Sequence, residues 1–380
     1  MHGPDVRGDC GVTVQVTPQG QPTIAINSRI AALYGESIRT LIQTTLATLA
    51  AADVSLTIDD SGALPYVIQA RIEAAVRRLR PGTTSSALPP VHATAQAEPR
   101  SQLRRSRLYL PGNTPKFFIN AGLHRPDAII LDLEDSVPPS EKDAALILVR
   151  NALRAVDFYS AERMVRVNAL PAGLHDMRAL AGHGVHTFLL PKAEDADMVR
   201  AVSDLLDQLG DTNTRLLPII ESARGVLHAY PIVSASPRVV ALAIGLEDYT
   251  ADIGAQRTTA GRESWWAQGQ IVNAARAAKV QPLASVYSAI DDEAGLRTWL
   301  ADARGLGFAG AGCLHPRQIR VVHAAFAPSL DEVAHAQRLV AALERAQASG
   351  SGAVAVDGAM VDAPVAERAR QVLRLAEAAR

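Results

Sequence analysis

Two short apolar runs end in carboxylates about one β/α repeat apart. Leu217-Pro-Ile-Ile-Glu221 closes on Glu221, and Ala243-Ile-Gly-Leu-Glu-Asp248 closes on Asp248. Runs of this kind are what a strand buried on both faces requires. In a parallel barrel, strand ends converge on one face, and active sites are built there. Two carboxylates from adjacent strand ends, without a Cys/His cluster, suit a hard divalent cation such as Mg2+. An ion held by only two side chains keeps positions open for a bidentate oxyacid. The competing reading is structural, because Asp and Glu are favoured in the first turn of any helix by its macrodipole. The remaining strands decide between them.

From Arg105 onward, strand-like runs alternate with helical stretches. The candidate strands begin at Arg107, Asp127, Arg163, His186, Leu216, Val239, Val280 and Phe308. Eight such units over about 220 residues predict a TIM (β/α)8 barrel. An open doubly wound sheet is the alternative, but no Gly-rich fingerprint follows the first strand. The predicted strand ends carry Pro111-Gly-Asn, Glu134-Asp135, Arg166 with Asn168, Pro191-Lys192, Glu221, Glu247-Asp248, Ser285 and His315-Pro316. So much charge on one face is costly to desolvate and serves stability poorly. It reads as a site.

Composition removes several classes of function. With 38 basic and 39 acidic residues the formal net charge is −1, which gives no electrostatic case for nucleic acid. No apolar run reaches membrane-spanning length, and the first residues lack a signal peptide's basic and apolar regions. Cys10 and Cys313 make no metal-ligand spacing, so a reducing, cytoplasmic setting is expected.

Residues 1–80 read as a separate small unit. Val12 to Val16 alternates as a strand, Pro18-Gln-Gly-Gln turns, and Thr23 to Ile26 returns. Tyr34 to Leu49 is an amphipathic helix, Val54 to Ile58 a third strand, and Leu64 to Leu79 a second helix. The order β-β-α-β-α predicts a two-layer α/β sandwich. Residues 81–103, rich in Pro, Ser, Thr and Ala without apolar periodicity, read as a flexible linker. The barrel is then expected over 104–328, with a C-terminal helical lid segment over 329–380.

Asp60-Ser-Gly-Ala-Leu-Pro-Tyr-Val-Ile-Gln-Ala-Arg-Ile-Glu-Ala-Ala75 resembles the closing turn and helix of the acyl carrier subunits of citrate lyase and malonate decarboxylase. Those carriers attach a phosphoribosyl-dephospho-CoA arm to a serine just before the first strand. Here that stretch is Asp5-Val-Arg-Gly-Asp-Cys-Gly-Val12, which places Arg7, Asp9 or Cys10 at the position and offers no serine. A phosphodiester arm needs a hydroxyl, so the domain is expected to be carrier-like but unmodified.

The predicted barrel resembles the citrate lyase beta subunit and its relatives in the HpcH/HpaI aldolase and malyl-CoA lyase group. The matching stretches are Arg105 to Gly112, Leu131 to Val137, Arg166-Val-Asn168, Leu190 to Glu194, Ile220 to Gly225, Gly245 to Gly254, Leu314-His-Pro316 and Val356 to Pro364. The resemblance implies Glu221 and Asp248 as Mg2+ ligands and Arg166 as the oxyacid carboxylate binder. It implies Arg105 as a second substrate or phosphate contact, and Glu134 and Asp135 as groups orienting metal-bound water or Arg166. Lys192 is expected to pair with one of these carboxylates, Lys142 to be a solvated charge, and His315 to anchor its loop. Asp362 matches the position from which a neighbouring subunit supplies the acid/base in malyl-CoA lyases, and its sequence context also fits a helix N-cap.

The activity implied is Mg2+-dependent cleavage of a 3-hydroxy-acyl thioester, of citryl-CoA or malyl-CoA type, into a 2-oxoacid and an acyl thioester. The CoA thioester is then substrate, the chain a homo-oligomer (trimer or hexamer), and citrate lyase-like subunits possible partners. Three alternatives stay open on sequence grounds: a thioesterase on the same scaffold, a free-acid 2-oxoacid aldolase, and a non-catalytic scaffold subunit.

Overall fold

The computed structural model describes residues 6–17, 21–91, 103–348 and 350–378. Residues 18–20 of the expected turn and the linker residues 92–102 lie outside them. The N-terminal strands β1 (Cys10–Val16) and β2 (Ile24–Ser28) are followed by helix α1 (Ala31–Thr48), strand β3 (Val54–Asp60) and helix α2 (Pro65–Leu79). Strand β3 is central, antiparallel to β1 and parallel to β2. The helices cover one face, burying Ile38, Ile42, Leu46, Val67, Ile68 and Ile72 against Val54, Leu56 and Ile58. Pro65 opens α2, where its fixed φ suits the helix and its missing N–H would have no intrahelical partner.

The barrel begins with β4 (Ser106–Pro111), β5 (Ala128–Asp132), α3 (Lys142–Ala155), β6 (Glu162–Arg166), α4 (Ala172–Leu180) and β7 (Thr187–Leu190). It continues with α5 (Ala196–Gln208), β8 (Arg215–Ile220), α6 (Ala223–Leu227), α7 (Ala229–Val233), β9 (Ala241–Ile244) and α8 (Leu246–Asp252). The last elements are α9 (Trp265–Ala277), β10 (Gln281–Val286), α10 (Glu293–Leu306), β11 (Ala311–Cys313) and α11 (Pro316–Phe326). All eight strands are parallel, and β11 pairs with β4 to close the barrel. Its lumen is packed with Ala128, Ile130, Met164, Leu189, Leu217, Ile219, Ala241, Ala243 and Leu283. Large Leu217 and Ile219 on β8 stand beside small Ala241 and Ala243 on β9, which fills the barrel with side chains.

Only 3-10 turns join β4 to β5, and the N-terminal domain reaches this side of the barrel. Helix α2 packs along α3. Fully buried Glu73 receives Arg150 of α3 at 3.0 and 2.7 Å. Buried Arg71 grips Asp9 through two hydrogen bonds and donates at 2.9 Å to the Asn113 carbonyl in the loop after β4. The first half of the expected linker is held as well. Glu73 accepts from the Ala87 amide, while Asn151 and Arg154 donate to the carbonyls of Ala87 and Pro89. The sequence composition there is that of a tether, but side chains of α2 and α3 anchor it.

The chain's two compact units are Met1–Ile319 and Arg320–Arg380. In the second, α12 (Leu330–Ala348) and α13 (Ala363–Ala378) pack together beside the hairpin of β12 (Val354–Val356) and β13 (Ala359–Val361). Ala336, Leu339, Leu343, Val361, Ala366 and Ala369 form its core. Asp357-Gly358, both at positive φ, make the two-residue turn that such a hairpin favours. Among the described residues no helix is long and apolar enough to cross a membrane.

Candidate active site

Strand β8 ends at Ile220, and Glu221 is the next residue. Ser222 then caps α6, its hydroxyl accepting from the Gly225 amide at 3.1 Å. The cap ends the strand abruptly and leaves Glu221 at the barrel mouth, only 6% exposed. Gly245, at the end of the neighbouring strand, makes room for it. A Cβ there would lie 2.9 Å from the Glu221 Cγ. Asp248 follows in the first turn of α8. The carboxyls of Glu221 and Asp248 are in hydrogen-bond contact. Burial, reinforced by this contact, pushes the Glu221 carboxyl up to about 8.

Beside the pair stands an arginine cluster. Arg166, the last residue of β6, is held by Asp132 at the end of the adjacent β5, Nε to Oδ1 at 2.7 Å and Nη2 to Oδ2 at 2.8 Å. Its Nη1 lies 2.7 Å from Glu134 and 3.3 Å from Asp135. Burial alone raises the Asp132 carboxyl, but the bidentate grip outweighs it and holds the group below the ordinary carboxylate range. For Arg166 burial works downward, and Asp132 overcomes it to keep the guanidinium charged. Glu134 is raised, chiefly by burial, although Arg166 and Lys192 oppose the shift. The Arg166 guanidinium also lies 5.5 Å from the centre of the Tyr109 ring.

Lys192 ties the two groups together. Its backbone adopts a left-handed φ of 52°, a strained conformation for a residue with a Cβ. From there its amide donates to Glu221 at 3.1 Å and its ammonium to Glu134 at 2.8 Å. This is the ion-pair role expected for it.

The structure therefore brings Arg166, Glu134, Asp135, Glu221 and Asp248 to one mouth. Arg105 is not among them, which corrects the expected substrate or phosphate contact. It stands just before β4, at the opposite end of the barrel, bound at 2.9 Å by both Nε and Nη2 to Asp127. Asp362 lies in the second compact unit, where its carboxylate accepts from the Val365 amide at 3.2 Å and caps α13. Lys142 is no solvated charge either. Its ammonium donates to the carbonyls of Leu133 and Glu134, both at 2.8 Å, and to Asn168 at 2.5 Å. That clamp fixes the loop carrying Glu134. His315 accepts from the Arg317 amide and anchors its loop, as expected.

Three residues that line or brace the mouth were missed from the sequence: Asp132, Tyr109 and Arg107. The first could have been found from strand alternation, since Asp132 and Glu134 are two residues apart and face the same way. Arg107 and Tyr109 share that spacing. A cavity of about 170 Å³ opens at the mouth, lined by Arg107, Tyr109, Asp135, Arg166, Glu221 and Asp248 among others. It suits a molecule smaller than a drug-sized ligand.

Among the described residues no cluster of three or more His, Cys, Asp or Glu side chains assembles a closed metal site. The Glu221–Asp248 pair still fits a hard cation. One of the two carboxyls is buried and pushed toward its neutral form, and among the described residues neither is ion-paired, Arg166 opposing the Glu221 shift only at longer range. Oxygen donors with open positions are what Mg2+ takes when it shares its coordination with a substrate.

Residues 105–316 match the family model for the HpcH/HpaI aldolase/citrate lyase family, and residues 3–79 match the model for the malonate decarboxylase delta subunit. Citrate lyase subunit beta of Leuconostoc mesenteroides subsp. cremoris is 38% identical over 285 residues, covering 73% of this chain and 94% of that protein. The L-malyl-CoA/beta-methylmalyl-CoA lyase of Cereibacter sphaeroides is 31% identical over 309 residues, 74% of this chain and 97% of that protein. Among solved structures, protein CitE of Mycobacterium tuberculosis in complex with magnesium, acetoacetate and coenzyme A is 34% identical with a TM-score of 0.62. It aligns over 73% of this chain and 100% of its own.

Proposed function

The chain belongs to the HpcH/HpaI aldolase/citrate lyase family, and we propose that it is a Mg2+-dependent carbon–carbon lyase acting on a 3-hydroxy-acyl-CoA thioester of citryl or malyl type. The products are a 2-oxoacid and an acyl-CoA. One observation carries the reading: Glu221 and Asp248 meet at the barrel mouth with no ion-pair partner among the described residues, beside an arginine that lines the same cavity. Magnesium, which is bound in the similar CitE complex, would be held by Glu221 and Asp248 and would act as a Lewis acid toward the oxygens of the oxoacid.

The chain's own residues do the rest. Asp132 fixes the Nε–Nη2 edge of Arg166 and Glu134 and Asp135 take its Nη1, which leaves the second Nη2 N–H and the positive charge to bind the oxoacid carboxylate at the cavity. Glu134, held by Lys192, and Asp135 keep the guanidinium in place. Cleavage breaks the bond between the hydroxyl-bearing carbon and the thioester α-carbon. The hydroxyl proton passes to water in the open mouth as the carbonyl forms, and the electron pair of the broken C–C bond moves to the α-carbon as a thioester enolate. That carbon must then be protonated. The other carboxylates lining the cavity are already engaged, Asp135 by Arg166 and Glu247 by Arg257. The proton donor in this reading is Asp362, the position that resembles the acid/base of malyl-CoA lyases, offered by a neighbouring copy in a homo-oligomer.

The N-terminal domain serves as a fixed accessory domain without a covalent arm. Asp9 is buried in its pair with Arg71 and Cys10 is a buried thiol pushed strongly upward by that burial, so neither is available as an attachment point.

Turnover of a panel of CoA thioesters by the intact chain, with Mg2+ or with EDTA, tests the function. The expected result is Mg2+-dependent release of a 2-oxoacid together with an acyl-CoA. Release of free CoA alone would make the protein a thioesterase, and no turnover of any thioester would remove the lyase reading.

A further inference from the structure

Arg107 enters the barrel lumen from the second position of β4. Its neighbours in register are Ala128 and Gly312, both small enough to leave the guanidinium room. Gly312 has no space for a side chain of its own, since a Cβ would lie 2.6 Å from Val286 and 3.2 Å from the Tyr109 ring. Only 1% of Arg107 is exposed. Its one hydrogen bond runs from Nη2 to the Ala284 carbonyl at 2.6 Å, and its Nε has no partner. Arg71, Arg104, Arg150 and Arg238, which are also buried, each meet a carboxylate, and buried Arg163 is held by His186 and the Gly184 carbonyl. Among the described residues no carboxylate pairs with Arg107.

A buried guanidinium with one neutral partner is among the costlier groups a fold can hold. Replacing it with an apolar side chain would remove that cost. What distinguishes the position is its place in the cavity, which Arg107 lines together with Glu221, Asp248 and Arg166. The chain is already at the mouth when it reaches Pro111 and Asp132, which pair in register, whereas Arg107 pairs four residues lower with Ala128. It stands on the inner side of the cavity, away from the carboxylate pair.

We propose that Arg107 binds a second carboxylate of the oxoacid, at the end remote from the 2-oxo group, and so selects 2-oxo dicarboxylic acids and their hydroxyacyl thioester adducts over monocarboxylic ones. This rests on the reading that the cavity holds the oxoacid. With the 2-oxo and adjacent carboxylate groups at Glu221, Asp248 and Arg166, the far end of a four-carbon diacid is directed inward to Arg107. The thioester enters from the open side. A carboxylate there supplies the missing counter-charge and a charge-assisted hydrogen bond. A monocarboxylic acid leaves the guanidinium unpaired, the arrangement by which a polar site rejects an analogue lacking its partner group.

The test uses the full chain and its Arg107→Met and Arg107→Lys variants. Condensation kinetics are measured with acetyl-CoA and Mg2+ against oxaloacetate, pyruvate and glyoxylate. Calorimetric binding of oxaloacetate and pyruvate is measured in parallel. The expected loss for Arg107→Met with oxaloacetate is about 100-fold in kcat/KM, as for a charged hydrogen bond, and it falls mainly in KM. Pyruvate and glyoxylate change less than about threefold. Arg107→Lys retains part of the preference and decides the matter if the Met variant does not fold. Equal losses on all three acids, no loss on any, or a wild-type preference for monocarboxylic acids would overturn the proposal while leaving the lyase standing. Absence of any condensation by the wild type counts against the lyase reading instead. The calorimetry then decides Arg107 alone: selective loss of oxaloacetate binding supports the assignment, and unchanged binding overturns it.

Discussion

The junction between the N-terminal domain and the barrel, and the mouth of the barrel, are built from the same residue types. They differ in completeness. At the junction each buried charge is answered by the protein: Glu73 by Arg150 and Arg77, Asp9 by Arg71. At the mouth Glu221 is buried to a similar degree but meets a second carboxyl and one backbone amide. Arg107, deeper in the same cavity, meets one carbonyl. A closed set of charges holds two parts of the chain together. An open set is completed from outside, by a cation at one end and an anion at the other.

Substitutions can break this contrast at either end. The largest effect is expected for Glu221→Gln. Removing a ligand charge should cost several kcal/mol of transition-state stabilisation, about 10³-fold in kcat. Thermal stability of metal-free protein should stay level or rise, because a desolvated carboxyl is removed. A melting-point drop with turnover kept would place Glu221 among the structural charges.

At the junction the signs reverse. Arg150→Ala leaves buried Glu73 with only the part-exposed Arg77 and the Ala87 amide, so urea denaturation should report a loss of about 2 kcal/mol. Its kcat should be unchanged once the protein is folded. A stability change under about 1 kcal/mol would mean that the buried pair does not hold the domain.

Arg166→Lys is expected to be smaller. A point charge cannot keep both the Asp132 fork and an oxoacid carboxylate, so KM for the oxoacid should rise about tenfold. An unchanged oxoacid dependence in the condensation direction would remove the assignment. The smallest effect belongs to the exposed rim of the junction. Arg78 pairs there with Asp143, both largely solvated, and Arg78→Ala should cost less than about 1 kcal/mol. A loss matching that of Arg150→Ala would show that burial is not what separates the two pairs.

The barrel could be read in the sequence because strands covered on both faces must be continuous apolar runs, as Leu217 to Ile220 and Ala241 to Ile244 are. Their ends could be read for the same reason, since a carboxylate closing such a run has only the mouth to occupy. Arg105 was misplaced by resemblance where polarity would have served better. A residue preceding a parallel strand lies at the end opposite its carboxyl terminus, and Asp127 holds it there. Lys142 looked solvated because helical spacing says nothing of a side chain reaching back to Leu133 and across to Asn168. The junction was hidden altogether. Glu73 and Arg150 are 77 residues apart, and neither amphipathic pattern names the helix it will meet.

The most direct measurement is calorimetric titration of Mg2+ into metal-free wild-type chain and into Glu221→Gln. The account predicts one saturable ion per chain for the wild type, with binding lost in the variant and retained in Arg150→Ala. Equal Mg2+ binding by wild type and Glu221→Gln would contradict it.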